Sequence, residues 1–462
     1  MLPFSNPPVI PKLKKFLLCS QELSGYGFAK MLLDQSTGRG QARRNEGAVE
    51  DVILAVKPKD DEDDFEHLEM VGDGVVQKMD LEECFKNRKD YKDYLWVFDM
   101  NFGHEMADTL RKEGYYVIGG QEFTDKLEHD REYGLSLVEK AGLSQPQSHT
   151  FNDIQSGLDL IESDPLIAWV FKPDEPNSES WVTTTPDSDN DEQANREMYR
   201  FLAAQSENGT YILQERVKGI EINVEMWLYK GTPFFSFANF ECKRKDNGDH
   251  GRMIGCAQDI GFKIDLDSKI LKDTLWKLVS LPEFSDYTGF IDLNLIIADN
   301  EYYFLEFCGR FGYNSHPNLF LTLAIDPLST ILSDLVLGNI SDFDSHFRGG
   351  FGASITTWID KPVKGLPLMF DNDQDVESRF YHFDTYKEDD EWFLAGYANE
   401  TGIICAHDYD ISSAAEECLR KFDKIHYPGK TGRTDLMRKD YQSNPQERYI
   451  ACQALGLFNK GD

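Results

Sequence analysis

The hydrophobic pattern of the chain changes near residue 168, and that change narrows the fold more than any other feature. Before it, short apolar strands alternate with helical stretches. KFLLCS (Lys15–Ser20) reads as a buried strand, Gln21–Gly27 as a turn with two glycines, and Phe28–Asp34 as a helix. Asp51–Val56 and Leu95–Asp99 are further strands, followed by a helix near Glu105–Glu113 and a strand Tyr115–Ile118. This alternation predicts a parallel, doubly wound sheet, in which ligands sit at the carboxyl ends of the strands. Gly25, Gly27, Asn101 and Gly103 would lie there, or simply make turns. A helix over Asp130–Ala141 leads to the new pattern, which begins at Ala168: AWVFKP, TYILQERVKG, EINVEMWLYKG and TPFFSFANFECKR. Strands of this strong alternation predict an antiparallel sheet. A helix over Ser268–Leu281 precedes two more strands, Gly289–Ile297 and Glu301–Phe307. Short strands (ASITTWI, WFLAGY, GIICAH) and a helix Ile411–Ile425 form the last part.

Composition sets outer limits. At 462 residues, with 40% hydrophobic and 13% aromatic residues, the chain predicts two to four domains with real cores. No apolar run approaches the roughly 18 residues of a membrane span, and the proline-rich lead-in before Lys15 is too short in its apolar part for a signal peptide. Eight cysteines without a CxxC pair argue for a reducing, cytoplasmic compartment and against a zinc or disulfide framework. A net charge of −33 opposes nucleic-acid binding, which needs a basic face, and reads as a solubility device or the mark of a high-salt cytoplasm. The acidic runs Lys59–Glu66 and Asp187–Glu192 read as solvated loops.

Three segments carry chemistry. In FIDLNLIIADNEYYFLEFCGRFG (Phe290–Gly312), the turn Ala298-Asp299-Asn300 suits a tight hairpin. Asp292 and Glu306, fourteen residues apart, then project from one face. Two carboxylates among Leu, Ile and Phe need compensation: either a hard cation such as Mg²⁺ or an ion pair with Arg310. In YILQERVKGIEINVE, the strand end Glu215-Arg216-Val217 could offer backbone groups to a base and Glu221 a carboxylate to a ribose; an ordinary amphipathic hairpin is the alternative. Lys172, closing AWVFK, either snorkels or holds a phosphate.

The order and spacing of these segments resemble the ATP-grasp superfamily, and within it phosphoribosylamine–glycine ligase. VFKPDE from Val170 is similar to the family's "VIKADG", QERVKGIEIN from Gln214 to "EEFLDGEEAS", ECKRKDNGD from Glu241 to "DHKRVGDGD", and EFCGRFGYNS from Glu306 to "EFNVRFGDPE". The resemblance spans roughly Lys15 to Arg438. It implies a pre-ATP-grasp α/β domain over 1–120, an ATP-grasp domain over 121–345 with its small lobe at about 150–216, and a small C-terminal sheet domain over 346–462. It also implies ATP with Mg²⁺ or Mn²⁺, small amine and amino-acid carboxylate substrates, and a monomer or small homo-oligomer. Carried over to this chain, Arg131 and Lys172 would hold phosphates, Glu215, Arg216 and Val217 the adenine, and Glu221 the ribose. Lys243 and Arg244 would lie near the triphosphate, Asp292, Glu306 and Asn294 would bind the metal, and Arg310 would face the substrate carboxylate or acyl-phosphate.

Four departures bear on function. The family's glycine-rich phosphate loop becomes EPNSESWV (Glu175–Val182), where Ser178 and Ser180 could donate instead. Its metal-binding Asn becomes Cys308, a softer ligand. Its "GREHA" sugar-phosphate segment reads ELSGYGFA, and "FGDPE" reads FGYNS. Three functions follow: a glycine ligase of purine synthesis, an ATP-grasp ligase joining another amino acid or amine, for instance in nucleotide modification, or a nucleotide-binding protein without ligase chemistry.

Overall fold

A computed structural model describes residues 12–21, 23–36, 49–57, 70–173, 191–205, 209–437 and 444–460. The loop Glu175–Val182, with Ser178 and Ser180, and the acidic run Lys59–Glu66 lie outside the described residues, as does most of the proline-rich lead-in.

The first part is an open parallel sheet of β1 (Lys15–Gln21), β2 (Asp51–Lys57), β3 (Gln77–Asp80), β4 (Leu95–Phe98) and β5 (Tyr116–Ile118), in the order β3-β2-β1-β4-β5. Leu17 lies between Ile53 and Trp96 in the ladder. Alternation divides these strands between two cores. Leu17, Cys19, Ile53 and Trp96 pack with Ala107 and Leu110 of the helix His104–Lys112. Phe16, Leu18 and Leu54 face the other way, into a core that also contains Trp227, Phe290, Phe311 and Tyr381. The parallel sheet is therefore sealed against the rest of the molecule by shared apolar burial, each fully buried large side chain contributing roughly 1.5–3 kcal/mol.

β6 (Ser148–Phe151), β7 (Trp169–Pro173) and β8 (Tyr211–Glu215) form a small antiparallel sheet in the order β6-β8-β7. Two helices, Ile154–Ser163 and Asp191–Ala203, cover it around Leu158, Trp169, Met198 and Leu213. The large sheet begins with β9 (Ile220–Tyr229), β10 (Thr232–Asp246), β11 (His250–Lys263), β12 (Gly289–Ala298) and β13 (Glu301–Cys308). It continues through β14 (Phe351–Ile359), while β15 (Pro367–Leu368), β17 (Thr385–Glu388) and β18 (Glu391–Leu394) pair in a small sheet of their own. β16 (Phe380–His382) and β19 (Glu400–Asp408) extend the large sheet in the order β13-β12-β9-β10-β11-β14-β19-β16, and a ninth strand, β20 (Lys430–Thr431), pairs with β14 off this path. Register across β11 and β14 (Gln258 opposite Ile355) carries the ladder straight from the middle of the chain into its C-terminal part.

Two expected elements differ in the structure. The helix expected over Ser268–Leu281 is two short helices, Lys269–Asp273 and Leu275–Val279. The break is at Thr274 (φ −126°, ψ −92°), whose hydroxyl donates to the Ile270 carbonyl at 2.6 Å. Gly27 belongs to the helix Tyr26–Ser36 rather than to a turn. A Cβ there would meet the Tyr381 ring at 2.3 Å, so close packing explains this glycine. By contrast, the turn at Asp299-Asn300 has both residues at positive φ (51° and 63°) with Ala298 paired to Glu301, as a two-residue hairpin requires.

Candidate active site

The site grows out of the period-two geometry of β9. Ile222, Val224 and Met226 point into the core and are fully buried. Glu221, Asn223 and Glu225 therefore share the opposite face. Neighbouring strands continue this polar face: Asn294 lies opposite Asn223 and Asp292 opposite Glu225. On β13, Glu306 lies opposite Asn294 and Cys308 opposite Asp292. Asp292 and Glu306 thus project from the same face, one residue pair apart.

Two contiguous cavities open on this face. The first, about 280 Å³, is lined by Arg131, Lys243, Asp292, Asn294, Glu306 and Arg310, together with Glu128, Glu225 and Cys308. The second, about 440 Å³, is lined by Lys172, Glu215, Arg216, Val217, Glu221 and Arg244, and shares Lys243 and Glu306 with the first. The twelve residues to which the resemblance gives binding or catalytic roles are therefore brought around one continuous space.

Lys243 joins the two cavities. Its Nζ lies 2.8 Å from Glu306 Oε1, 3.1 Å from Glu221 Oε1 and 4.0 Å from Glu241 Oε2. Burial works against its charge, but Glu306, Glu221 and Glu241 outweigh that and hold the ammonium well above its ordinary pKa. Reciprocally, Lys243 pulls the Glu306 carboxyl down to about 2. Burial, together with the charges of Glu225, Glu241 and Glu306, pushes Asp292 well above the usual carboxylate range. Burial lowers Lys172 to about 8, with Arg131 adding to the effect; this is a lysine inside the cleft rather than one reaching out to solvent.

The ion pair between Arg310 and the hairpin carboxylates, open as an alternative from the sequence, does not form. Arg310 Nε is 3.2 Å from Glu128 Oε1 instead. Asn101 Nδ2 donates to the other Glu128 oxygen at 2.5 Å, tying the end of the parallel sheet to the cavity wall. Glu306 takes its counter-charge from Lys243 instead, and Asp292 has no ion-pair partner among the described residues.

The donor set fits a hard divalent ion. Asn294 Nδ2 donates to Glu306 Oε1 at 3.2 Å and Glu221 Oε1 at 3.3 Å, while its buried Oδ1 has no partner. Two carboxylates and an unpartnered amide oxygen are the chemistry Mg²⁺ accepts. Among the described residues no group of three His, Cys, Asp or Glu side chains could hold a metal alone. A weak all-protein site matches an ion that takes its remaining ligands from phosphates and water. Burial keeps the Cys308 thiol protonated, which disfavours it as a ligand.

At the strand end, the amides of Glu215 and Arg216 donate to the carbonyls of Gln147 and Ala168, each at 2.8 Å. They are not free to read a base. The Val217 amide has no protein acceptor among the described residues. Arg244 donates to the Gly251 carbonyl at 2.9 Å, bracing the β10–β11 hairpin. The tip of that hairpin is held from the C-terminal segment, where Arg433 reaches Asp249 at 2.5 Å and Asp435 accepts from the Gly248 amide at 2.6 Å.

No family model matches the chain. A curated relative, the phosphoribosylamine–glycine ligase of Leptospira interrogans, is 22% identical over 347 residues, covering 71% of this chain and 79% of the relative. The solved phosphoribosylamine–glycine ligase of Thermotoga maritima superposes with a TM-score of 0.62 at 15% identity, over 91% of this chain and 99% of that one. The biotin carboxylase of Campylobacter jejuni, solved as a β,γ-ATP complex, gives a TM-score of 0.57 at 10% identity, over 94% and 98%. This chain has the ATP-grasp fold. Residues of β7 and β8 line the second cavity together with the polar face of β9 and β10.

Glu225, Glu128 and Arg448 also line this cleft and were not identified from the sequence. Glu225 had a signal, since the alternation in EINVEMW puts it on the face of Glu221. Glu128 and Arg448 had none. Arg448 comes from the helix Pro445–Ala454, beyond the stretch of sequence resemblance, yet lines the second cavity and donates to the Glu241 carbonyl at 3.1 Å.

Proposed function

We propose that this chain is an ATP-dependent carboxylate–amine ligase acting through an acyl-phosphate, similar to phosphoribosylamine–glycine ligase. One observation carries the reading: the face bearing Asp292, Asn294 and Glu306 joins a cavity containing Arg310 to one containing Lys172, Glu221 and the Val217 amide. ATP would lie in the second cavity, its base edge at Val217, its ribose near Glu221 and its phosphates toward Lys172, Lys243 and Arg244. Mg²⁺ held by Asp292, Glu306 and Asn294 would neutralise the terminal phosphates. A substrate carboxylate placed near Arg310 would attack the γ-phosphorus in line, breaking its bond to the bridging oxygen and releasing ADP. An amine nitrogen would then attack the acyl carbon, losing its proton as inorganic phosphate departs. The cations around the phosphates supply electrostatic stabilisation as charge builds on the leaving oxygen.

A cytoplasmic location belongs to this reading. It is supported by eight free cysteines and by the lack, among the described residues, of any helix long and apolar enough to cross a membrane. The test is ADP formation across a panel of acid and amine pairs. Turnover with glycine plus phosphoribosylamine assigns the purine reaction, turnover with another pair assigns a sister ligase, and nucleotide binding without turnover for any pair refutes the proposal.

A further inference from the structure

Glu225 has no part in the reaction as described, yet it lies in the floor of the first cavity. It is 2% exposed and faces Asp292 across β9 and β12. A buried carboxylate normally has a cation beside it. Among the described residues, the one basic group within 4 Å of it is His316, whose Nε2 is 3.6 Å from Glu225 Oε1. That imidazole is not a counter-charge. Its Nδ1 accepts from the Gly312 amide at 2.8 Å, which assigns the ring proton to Nε2 in a neutral ring. Nε2 is itself buried without a partner. The Trp227 indole donates to Glu225 Oε1 at 2.5 Å and fixes the carboxyl's orientation. One wall of the cavity thus holds an oriented carboxylate lacking a cation, while Arg310 provides a guanidinium elsewhere in the lining. At about 280 Å³ the space is small, near the lower end of small-molecule sites (~300 Å³).

We propose that Glu225 receives the ammonium group of the acid substrate, so that the cavity selects an amino acid as its zwitterion, carboxylate toward Arg310 and amine toward Glu225. This rests on the ligase reading for the position of the carboxylate. The side chain opposes acids lacking the amino group, which would leave Glu225 buried and uncompensated beside a second carboxylate. The Trp227 hydrogen bond makes the receptor rigid, so little ordering is needed when substrate enters.

The experiment uses the full chain with Mg²⁺ and either ATP, to read ADP formation, or a non-hydrolysable ATP analogue, to read binding by calorimetry. Probes are matched pairs: glycine and acetate, alanine and propionate, aspartate and succinate. The expected result is that at least one amino acid binds about 100-fold more tightly than its partner lacking the amine, and that Glu225→Gln removes most of this preference while leaving analogue affinity within about twofold. Trp227→Phe, which keeps the carboxyl and removes the N–H that orients it, should weaken the same amino acid by about 3- to 10-fold. Equal binding within every pair overturns the inference, as does an unchanged preference in Glu225→Gln. So does a Glu225→Gln effect confined to the Mg²⁺ requirement, which would make Glu225 part of the metal site. Amino-acid binding that depends on Glu225 without ADP formation upholds the inference and sinks the ligase reading; ADP formation with acetate or propionate as readily as with glycine or alanine does the reverse.

Discussion

Two carboxylates, one at the end of a strand in the parallel sheet and one in the large sheet, show how differently the two sheets treat charge. Asp99 follows β4 in the parallel sheet and accepts from the Ser20 and Ser24 hydroxyls, both at 2.6 Å. Glu306, in β13 of the large sheet, accepts from the Lys243 ammonium at 2.8 Å. Burial outweighs the neutral hydroxyls and raises Asp99 to about 6, whereas the ammonium takes Glu306 down to about 2. Asp99 is buried, and hydroxyl dipoles organise its carboxyl without offsetting the loss of solvent, whereas Glu306 is exposed to the cleft and has a full positive charge beside it, so it stays ionised. The parallel sheet closes on itself here, since a Cβ on Gly25 would stand 2.8 Å from Asp99 Oδ2. The large sheet instead leaves Glu306 in the lining of both cavities.

The sharpest way to break this contrast is Glu306→Gln. It removes the charge opposite Lys243 and one oxygen ligand of the proposed ion while keeping the shape. ADP formation should fall by about 10²–10³, with cooperative thermal unfolding retained; near-normal turnover would show that the cleft charge has no role in catalysis. Next, Lys172→Met should weaken ATP by about 10- to 100-fold, measured by calorimetry, because the lysine of β7 would no longer meet the phosphates.

The two carboxylates also predict opposite pH behaviour. For Asp99 the folded state binds its proton more tightly than the unfolded chain, so its contribution is present below about 4 and is lost as pH rises through about 6. The size is on the order of 2–3 kcal/mol for a fully buried group. Glu306 acts the other way: its contribution is present above the unfolded carboxylate value and is lost as pH falls toward about 2. Denaturant titrations between pH 4 and 7 should therefore flatten in Asp99→Asn. An unaltered slope would mean that Asp99 is no source of the pH dependence. The smallest effect expected is that of Arg448→Met, about 3- to 10-fold on ATP with adenosine affinity unchanged. A parallel loss for adenosine would show that the C-terminal helix acts by bracing β10 at Glu241 rather than on phosphate.

Much of the cleft was legible because side-chain direction in a strand has a period of two. Asp292 and Glu306 mark the limit of that rule: the sequence places them on one face with Ala298-Asp299-Asn300 as the turn, but the turn is Asp299-Asn300 alone, which in regular register would set Glu306 opposite Leu293, and the irregularity between Asn294 and Leu295 restores the shared face. Lys172 at the end of an apolar run and Glu221 beyond the strand end Glu215-Arg216-Val217 were legible from the order of the segments. The alternating strands and helices from Lys15 to Ile118 likewise announced a parallel sheet. The partner of Arg310 was not legible: Glu128 lies far away in sequence and reaches it only through packing of the helix Glu122–His129 on β13. Gly27, expected near a ligand, instead meets Tyr381 from the far end of the chain.

What the amino-acid order determined alone is local: which residues alternate, where a turn needs positive φ, and which strands carry carboxylates among apolar neighbours. Only the tertiary structure decided which strands became neighbours, and with that which charges compensate one another. Pairing of β9 with β12 set Glu225 against Asp292, and the path of β10 brought Lys243 between Glu221 and Glu306. Electrostatic energy depends on distance and burial, and neither is written in the sequence until the chain has closed its long-range contacts.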